Sequence, residues 1–322
     1  MEIPCFGIAF SLLLLLLLLH APLPSSAVPD SIFILAGQSN MAGRGGVHNN
    51  TATGAVHWDG IVPAQCEPNP SILRFSKDLV WVPAHEPLHA DIDSTKTNGI
   101  GPGMPFANAV LTQDPDSVGA VGLVPCAVGG TTISQWAKGG ALYGEMVRRA
   151  TAAVAAGGGN LRGLIWYQGE SDTNSREDAE GYRGRLETLF YHVRQDLQLP
   201  ALPIIQVVAL ASAEGPYKET VREAQLGISI PNLVTVDADG LPIQRDGLHL
   251  TTASQVELGH MLANAFLKTN FRSSPIRTSR GSGVEGSSSN SPAISGVLTV
   301  PLLMSALVFS LNYMIMAYSV DL

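Results

Sequence analysis

The sequence predicts an α/β domain in which helices cover both faces of a sheet of about five parallel strands. Short, nearly continuous apolar runs recur along the chain, as expected of strands that are buried on both faces of a parallel sheet. Segments with helical spacing of apolar residues separate these runs. The alternation of strands and helices implies right-handed β-α-β units, which stack into a three-layer α/β/α domain.

The predicted strands are the apolar runs themselves. Each run has the length of a strand and ends close to Gly, Pro or polar residues, which favour turns. In chain order the runs are residues 31–36, 118–127, 163–167, 203–210 and 233–237.

The predicted helices fill the intervals between the strands. One of them has five apolar residues on a single helical face. These residues are Tyr182, Leu186, Leu189, Phe190 and Val193. The complete set of predicted helices is 141–156, 178–196, 220–228 and 251–269.

One segment, residues 43–106, breaks this alternation. It is long, weakly periodic and rich in Gly, Pro and His. Long segments without regular structure are usually functional loops, so we predict a functional loop or insertion here.

The predicted domain spans residues 28–272, and a targeting feature precedes it. Residues 1–27 hold an apolar run followed by Ser25-Ser26-Ala27, the small-residue pattern of a cleavage site. The run is shorter than the roughly 20 residues that a membrane-spanning helix needs. We therefore predict a signal peptide, with a retained membrane anchor as the alternative.

The end of the chain divides into a Ser/Gly-rich linker, 273–292, and an apolar tail, 293–322. Small residues, a polar spacer and a terminal apolar stretch form a GPI-anchor signal. A transmembrane helix is the alternative, but Arg277 and Arg280 precede it and no Lys or Arg follows it, against the positive-inside rule. These features predict an extracellular or cell-surface protein of the secretory pathway that is anchored to a membrane.

Charge and cysteine content narrow the class of protein. The formal net charge is −8, without a basic stripe, which argues against a nucleic-acid partner. Cys5 leaves with the signal peptide, and Cys66 and Cys126 are predicted to form a disulfide, with two buried free thiols as the alternative. Asn49 begins an Asn-x-Thr sequon and is a candidate for glycosylation.

A serine follows the first predicted strand directly, in the run from Gly37 to Met41. Ligands of open α/β sheets bind beyond the carboxyl ends of the strands, so Ser39 lies where a nucleophile is expected. A serine that starts a helix also offers its backbone N–H to a developing oxyanion. The alternative is an ordinary N-cap serine. Met41 departs from the Gly-x-Ser-x-Gly motif of lipase-like hydrolases.

A base for this serine is offered just before the last predicted helix, by Asp246 and His249. A serine hydroxyl needs a base to take its proton, and the imidazole in turn needs an acceptor that fixes its tautomer. An aspartate three residues upstream can supply that acceptor. The alternative is a helix N-terminus with a surface carboxylate.

Two further segments follow predicted strands and offer hydrogen-bond donors. In 128–132, a glycine lets backbone N–H groups approach a ligand. In 166–171, the side-chain amide of Gln168 can donate to an oxyanion. Turn formation is the alternative for each. All four polar segments fall at the carboxyl ends of strands or at the last helix, so we expect them to converge on one edge of the sheet.

Together these segments resemble the SGNH hydrolases, and within them the carbohydrate esterase branch with the sialate O-acetylesterase-type domain, which includes plant probable carbohydrate esterases. The resemblance covers residues 31–268 and implies a flavodoxin-like fold. The matching motifs are GQSNMAGRGG at 37–46, LVPCAVGGTTISQW at 123–136, WYQGES at 166–171 and DGLHL at 246–250.

The resemblance implies a role for each polar residue. Ser39 is the nucleophile, His249 the base and Asp246 the group that orients it. The oxyanion hole consists of the N–H groups of Ser39 and Gly130 and the side chain of Gln168, which stands where most SGNH members carry Asn. The resemblance implies no metal and no organic cofactor. The groups expected to support these residues through hydrogen bonds are Gln38, Asn40 and Glu170.

Other candidate sites have weaker support. The His, Glu and Asp residues of 85–93 match no metal-binding spacing, so we predict a solvated loop there. Glu170 and Asp172 lie too close in sequence to indicate a glycosidase pair. Trp136 and Trp166 could stack on a sugar, but burial in the core is the default for Trp166.

The resemblance implies a serine esterase that removes O-acetyl groups from carbohydrate, such as acetylated xylan or a glycan, through an acyl-enzyme. Two alternatives remain open. One is a general SGNH hydrolase of lipids, thioesters or aryl esters, and the other is a non-catalytic cell-surface sugar-binding protein. No protein partner is implied.

Overall fold

A seven-stranded sheet forms the centre of the structure, a computed structural model that describes residues 28–49, 53–208 and 215–268. A separate two-stranded ribbon, β2-β3, lies outside this sheet. The strands are β1 (Ser31–Gly37), β2 (Val47–Asn49), β3 (Val56–Trp58), β4 (Ile72–Phe75), β5 (Trp81–Pro83), β6 (Val121–Pro125), β7 (Asn160–Tyr167), β8 (Ile204–Val208) and β9 (Leu233–Asp237).

The strand order of the sheet is β5-β4-β6-β1-β7-β8-β9. All neighbours pair in parallel except β5, which pairs antiparallel with β4 at the edge. The five predicted strands are β1, β6, β7, β8 and β9, and their spatial order is the 2-1-3-4-5 order of flavodoxin-like sheets. The parallel α/β fold is therefore confirmed.

The described helices occupy the intervals between the strands. The four predicted helices are present, with ends that lie within two residues of the predicted ones. The helix Arg176–Asp196 begins earlier than predicted, because the Ser175 hydroxyl accepts a hydrogen bond from Asp178 N at 3.1 Å and caps the N-terminus of this helix. They are α1 (Ser39–Ala42), α2 (Gly103–Gln113), α3 (Pro115–Val118), α4 (Ala141–Gly157), α5 (Arg176–Asp196), α6 (Lys218–Leu226) and α7 (Thr252–Lys268).

Aromatic side chains join the sheet to the helices on both of its faces. On one face, the ring of Phe33 from β1 meets Phe106 of α2 and Phe266 of α7 edge to face, each at a centroid distance of 5.0 Å. On the other face, Trp166 of β7 meets Trp136 at 5.2 Å and Phe190 of α5 at 6.2 Å. Both tryptophans are fully buried, so they belong to the core and do not offer a surface to a sugar.

The segment 43–106 differs from its prediction. It does not form a long irregular insertion, because β4 and β5 extend the central sheet and all four residues of β4 are buried. The segment also contains the β2-β3 ribbon and the first turn of α2. These strands are only three or four residues long, which is too short for a periodic signal. Gly103 and Pro105 likewise obscure the start of α2 in the sequence.

The predicted disulfide is not formed, because Cys66 and Cys126 are both buried free cysteines. Cys66 ends a short 3-10 turn that packs against α2. Cys126 follows β6 and accepts a hydrogen bond from Arg149. Burial raises the pKa of both thiols, that of Cys126 to about 12, so both remain protonated and unreactive.

The predicted signal peptide, linker and apolar tail lie outside the described residues, as do residues 269–272 of the predicted domain. Every described residue belongs to one compact unit. None of the helices in the described ranges is long and apolar enough to cross a membrane.

A buried arginine ties α4 to the carboxyl ends of two strands. Arg149 is 1% exposed. Its guanidinium donates to the carbonyl oxygens of Pro125 at 2.9 Å, Ser76 at 3.0 Å and Phe75 at 2.6 Å. These carbonyls end β6 and β4, where the strands offer no further donors, so one side chain satisfies three buried acceptors.

We expect Arg149→Met to lower the free energy of unfolding by about 3 kcal/mol or more, because each buried polar group left without a partner costs about 1–3 kcal/mol. Denaturation with urea measures this change. The control is Arg148→Met: its side chain is 51% exposed and pairs with Glu145 at the surface, so its removal should cost less than about 1 kcal/mol. Equal losses for the two variants would contradict the role assigned to Arg149.

Candidate active site

The site begins where β1 ends. Gly37 has a φ of 132°, and a Cβ atom at this position would lie 2.0 Å from the carbonyl oxygen of Tyr167. Only glycine therefore lets β1 pass so close to β7. The chain then turns into α1, and Ser39 becomes its first residue, with a backbone N–H that has no partner within the helix.

Ser39, His249 and Asp246 form a continuous hydrogen-bonded series. The hydroxyl oxygen of Ser39 lies 2.9 Å from His249 Nε2. His249 Nδ1 lies 2.7 Å from Asp246 Oδ2. Residue Gln38, rather than Ser39, is the N-cap of α1, and α7 begins three residues after His249. The structure thus brings the three predicted residues together. The Ser39 hydroxyl does not serve as an N-cap, and the Asp246 side chain, although 47% exposed, bonds to the imidazole of His249.

The charges of this series are set by its surroundings. Burial raises the pKa of Asp246, but backbone N–H groups of His249 and Leu248, each at 3.0 Å, overcome this and hold the pKa below its usual value. Burial lowers the pKa of His249, and Asp246 opposes the shift only in part. At neutral pH the imidazole is therefore neutral, its Nδ1–H donates to the carboxylate, and Nε2 accepts the proton of Ser39.

Asn40 holds the loop that carries His249. Its Oδ1 accepts from Leu250 N at 3.0 Å, and its Nδ2 donates to Leu248 O at 3.4 Å, so it bonds to the residues on both sides of His249. Nδ2 also donates to Glu170 Oε1 at 2.9 Å. Burial raises the pKa of Glu170 to about 7. Asn40 thus bonds to the loop of His249 and to Glu170, and the supporting role of both residues in the reaction stays a prediction.

The loop after β6 offers a backbone donor at Gly130. Gly130 has a φ of 77° and lines the same cavity as Ser39, and its N–H donates to no acceptor among the described residues. The preceding N–H, that of Gly129, donates to Asp93 Oδ2 at 3.2 Å. Arg44 donates to the same oxygen at 2.5 Å. This buried ion pair fixes the loop and leaves Gly130 as the residue whose N–H is available.

The predicted role of Gln168 in the oxyanion hole needs correction. Its side chain is fully buried and does not line the cavity. Its Nε2 donates to Thr131 O at 2.8 Å and to Asp172 Oδ2 at 2.6 Å, and its Oε1 accepts from the Tyr182 hydroxyl at 3.1 Å. The long amide is thus held in the core by strong acceptors and cannot turn toward a substrate.

Gln38, rather than Gln168, offers a side-chain amide to the cavity. Its Oε1 accepts from Gln168 Nε2 at 3.2 Å, and the backbone N–H groups of Gly169 and Ser171 also point at this oxygen, at 3.5 and 3.4 Å. Three donors around one atom identify that atom as oxygen, so the NH2 group is the other end of the amide. Gln38 lines the cavity beside Ser39, and its Nε2 has no acceptor among the described residues.

The cavity over Ser39 has a volume of 440 Å³. A second cavity of 1320 Å³ adjoins it, and the two share four lining residues. These shared residues are Arg44, Lys96, Asp246 and His249. The site therefore consists of a small chamber at the nucleophile and a larger groove that begins at the imidazole.

Sequence reasoning missed the contribution of Arg44 and Asp93. Residues 85–93 were predicted to form a solvated loop, but Glu86, His89 and Asp93 are buried. Burial raises the pKa of Glu86 to about 8 and lowers that of His89 to about 3. A buried guanidinium needs hydrogen-bond acceptors, but the sequence carries no signal that Asp93 is the acceptor that Arg44 meets.

The remaining candidate residues do not join the site. Asp172 is buried and accepts from Ile133 N at 3.1 Å as well as from Gln168, so it does not face Glu170 across the cavity. Within the described ranges, no group of three His, Cys, Asp or Glu side chains is arranged to hold a metal ion. Asn49 is exposed at the end of β2, and its glycosylation stays a prediction.

Comparison with known proteins places these features in a family. A family model described as carbohydrate esterase, sialic acid-specific acetylesterase matches residues 29–268. A probable carbohydrate esterase of Arabidopsis thaliana is 52% identical over 249 residues, which are 77% of this chain and 93% of the relative.

Solved structures show the same fold. A protein from Arabidopsis thaliana is 53% identical and superposes with a TM-score of 0.72, covering 76% of this chain and 99% of that one. NanS, 17% identical, has a TM-score of 0.59 over 75% of this chain and 98% of its own. A carbohydrate acetylesterase from Xanthomonas citri, 20% identical, has a TM-score of 0.51 over 73% and 55%.

The depressed pKa of His249 makes a prediction for the reactivity of Ser39. Modification of the serine by a fluorophosphonate should be independent of pH above about 7 and should slow as the pH falls below about 6.5, the ordinary pKa of histidine. The rate falls because protonated imidazole cannot accept the hydroxyl proton. Mass spectrometry of the modified protein measures the rate.

Asp246→Asn should slow this modification by about 10³- to 10⁴-fold, because the amide no longer fixes the tautomer that accepts from Ser39. Asp239→Asn, which removes an exposed carboxylate outside the cavity, is the control and should react like the unmodified protein. For the protein without substitutions, a rate of serine modification that keeps rising between pH 7 and 9 would show that His249 is not the base.

Proposed function

This chain belongs to the carbohydrate esterase, sialic acid-specific acetylesterase family, and we propose that it removes O-acetyl groups from carbohydrate with Ser39 as nucleophile. The observation that carries the proposal is the series from Ser39 Oγ through His249 to Asp246, with distances of 2.9 and 2.7 Å. A serine, a neutral imidazole and a carboxylate hydrogen-bonded in this order are the machinery of acyl transfer.

In the first step, His249 Nε2 takes the hydroxyl proton while Ser39 Oγ attacks the acetyl carbonyl carbon. The bond between that carbon and the sugar oxygen then breaks, and His249 returns its proton to the sugar oxygen. The products are a free sugar hydroxyl and an acetylated Ser39.

In the second step, water replaces the sugar. His249 takes a proton from the water, whose oxygen attacks the acetyl carbon. The bond to Ser39 Oγ breaks, the serine recovers its proton from His249, and acetate leaves. The same imidazole nitrogen acts as base and then as acid in both steps, which requires the neutral imidazole that its depressed pKa provides.

Three donors are available for the oxyanion of both tetrahedral intermediates. They are the backbone N–H groups of Ser39 and Gly130 and the side-chain Nε2 of Gln38. Each belongs to a residue that lines the chamber, and no acceptor among the described residues competes for any of the three. Their positions are fixed by the start of α1, by the Asp93 contact to Gly129 and by the donors around Gln38 Oε1. Such preorganised donors need no rearrangement during the reaction.

The dimensions and lining of the site favour a small acyl group on a polar alcohol. The chamber of 440 Å³ is lined largely by polar and glycine residues, which offer no apolar groove to a lipid chain. The Arabidopsis relative is described as a probable carbohydrate esterase. We therefore propose acetylated polysaccharide, such as acetylated xylan, or an acetylated glycan as the substrate.

Acetate release tests this function. The full-length protein should release acetate from acetylated xylan and from an aryl acetate, and Ser39→Ala should lower both rates by several orders of magnitude. Ser117→Ala, an exposed serine of α3, is the matched control and should keep full activity. A correctly folded protein that is as inactive as Ser39→Ala would rule out the proposed esterase activity.

A second test separates Gln38 from Gln168 as the oxyanion donor. Gln38→Glu keeps an oxygen for the three donors that contact Oε1 and replaces the NH2 group with a second oxygen. We expect kcat to fall by about 10²- to 10³-fold, the usual effect of losing one oxyanion donor, with little change in KM. Gln195→Glu, on the exposed side of α5, is the control. An unchanged kcat in Gln38→Glu would contradict the assignment.

A further inference from the structure

The second cavity adjoins the chamber, and His249 is one of the residues that line both. Ser39, Gly130 and Gln38 line only the chamber, whereas His249 lines both cavities. In the proposed reaction the acetyl group occupies the chamber and His249 protonates the departing sugar oxygen. The sugar must therefore lie beyond the imidazole, where the second cavity opens.

The size of this groove exceeds the needs of one sugar. Its volume of 1320 Å³ is above the range of about 300–1,000 Å³ that encloses an ordinary small ligand. The walls come from the β2-β3 ribbon, the loop around Lys96, the loop before His249 and the start of α7. A groove of this size has room for several linked sugar residues.

The described lining of the groove combines hydroxyl, amide and charged groups with the apolar side chains of Val47, Val56, Ile243 and Ala253. None of the described residues that line it is Phe, Tyr or Trp, the side chains on which the flat face of a neutral sugar ordinarily stacks. Threonine hydroxyls can bond to sugar hydroxyls, and so can the side-chain oxygen of Gln244, whose NH2 group already donates to Arg44 O and Leu250 O. The threonines are Thr95, Thr97, Thr251 and Thr252.

Two cations of the groove have no carboxylate of their own. Within the described part of the chain, neither Lys96 nor Arg245 makes an ion pair, and both are exposed. Arg44 is paired with Asp93, and the two carboxylates of the lining contact imidazoles, Asp246 that of His249 and Asp59 that of His48 at 3.4 Å. The groove thus presents two free positive charges in a chain whose net charge is −8.

We propose that this groove binds the saccharide chain around the acetyl ester and selects chains with carboxylate groups, which Lys96 and Arg245 bind. The proposal rests on the proposed esterase function, because that function places the sugar beyond His249. The ligand class is an acetylated polysaccharide that contains uronic acid residues. Arginine and lysine both form charge-assisted hydrogen bonds with carboxylates, and Arg245 can do so through two N–H groups at once.

The experiment compares one acetylated uronate-containing xylan oligomer before and after reduction of its carboxyl groups to alcohols. Reduction removes the charge and leaves the backbone and the acetyl esters in place. The enzymes are the full-length protein, the double variant Lys96→Gln/Arg245→Gln, and Lys77→Gln, an exposed lysine outside both cavities, as control.

For the full-length protein, we expect carboxyl reduction to lower kcat/KM by about tenfold, through KM. The double variant should show the same loss on the charged oligomer and no loss on the reduced oligomer or on an aryl acetate. Because exposed charges are screened by salt, 0.5 M KCl should reduce the preference of the full-length protein. Equal kcat/KM on charged and reduced oligomers, or a double variant that is equally impaired on both, would overturn the proposal.

Binding separates this proposal from the proposed function. Calorimetry with Ser39→Ala and the non-acetylated uronate oligomer needs no catalysis, and the additional Lys96→Gln/Arg245→Gln change should weaken this binding by about tenfold. If acetate release fails but this binding persists, the esterase function is wrong and the carboxylate site stands. If acetate is released but the charge has no effect on binding, the carboxylate site is wrong. If a free acetylated monosaccharide acid binds as tightly as the oligomer, the assignment to a chain is overturned.

Discussion

The close approach of β1 to β7 at Gly37 is the constraint on which the site depends. A side chain at this position would collide with the Tyr167 carbonyl, with a Cβ to oxygen distance of 2.0 Å. Because the two strands stay close to each other up to their carboxyl ends, Gln38 and Ser39 lie beside the loop that follows β7. A sheet that splayed here would carry Ser39 away from His249 and Gln38 away from Gln168. The hydrogen bonds of the nucleophile and of the oxyanion donor thus both depend on the absence of a side chain at Gly37.

Two glutamine side chains have different roles at this edge of the sheet, one in the core and one in the lining of the chamber. Gln168 is enclosed by Tyr182, Asp172 and a backbone carbonyl, so all its hydrogen-bonding capacity serves the core. Its donation to Gln38 Oε1 fixes the orientation of the second amide, whose NH2 group is then left for the chamber. A buried amide without partners would cost about 1–3 kcal/mol. This cost explains why both the nitrogen and the oxygen of the Gln168 side chain have hydrogen-bond partners in the protein. The polar core therefore positions the reacting groups and is itself closed to the substrate.

The segment 43–106 contributes to both stability and recognition. It adds two strands to the sheet and places the Arg44–Asp93 ion pair next to the loop of Gly129. The same segment carries Lys96 on the rim that the chamber and the groove share. An insertion in the otherwise regular order of strands and helices thus forms one wall of the groove. In contrast, the parts of the fold shared with other parallel α/β domains supply the nucleophile and its base.

The sequence by itself determined the parallel sheet and four helices, because strand and helix periodicity is a property of neighbouring residues. The strand-end motifs, through their resemblance to a known family, predicted the residues of the proposed triad and the supporting roles of Asn40 and Glu170. Only the tertiary structure shows that Gln38, rather than Gln168, lines the chamber and that Asp93 is the partner of Arg44. It also shows that Cys66 and Cys126 are not bonded and that 43–106 adds two strands to the sheet. Each of these outcomes depends on which buried groups meet across long sequence separations, such as the 130 residues between Gln38 and Gln168. Hydrogen-bond partners in the core are chosen by distance and direction in three dimensions, and no local pattern encodes that choice.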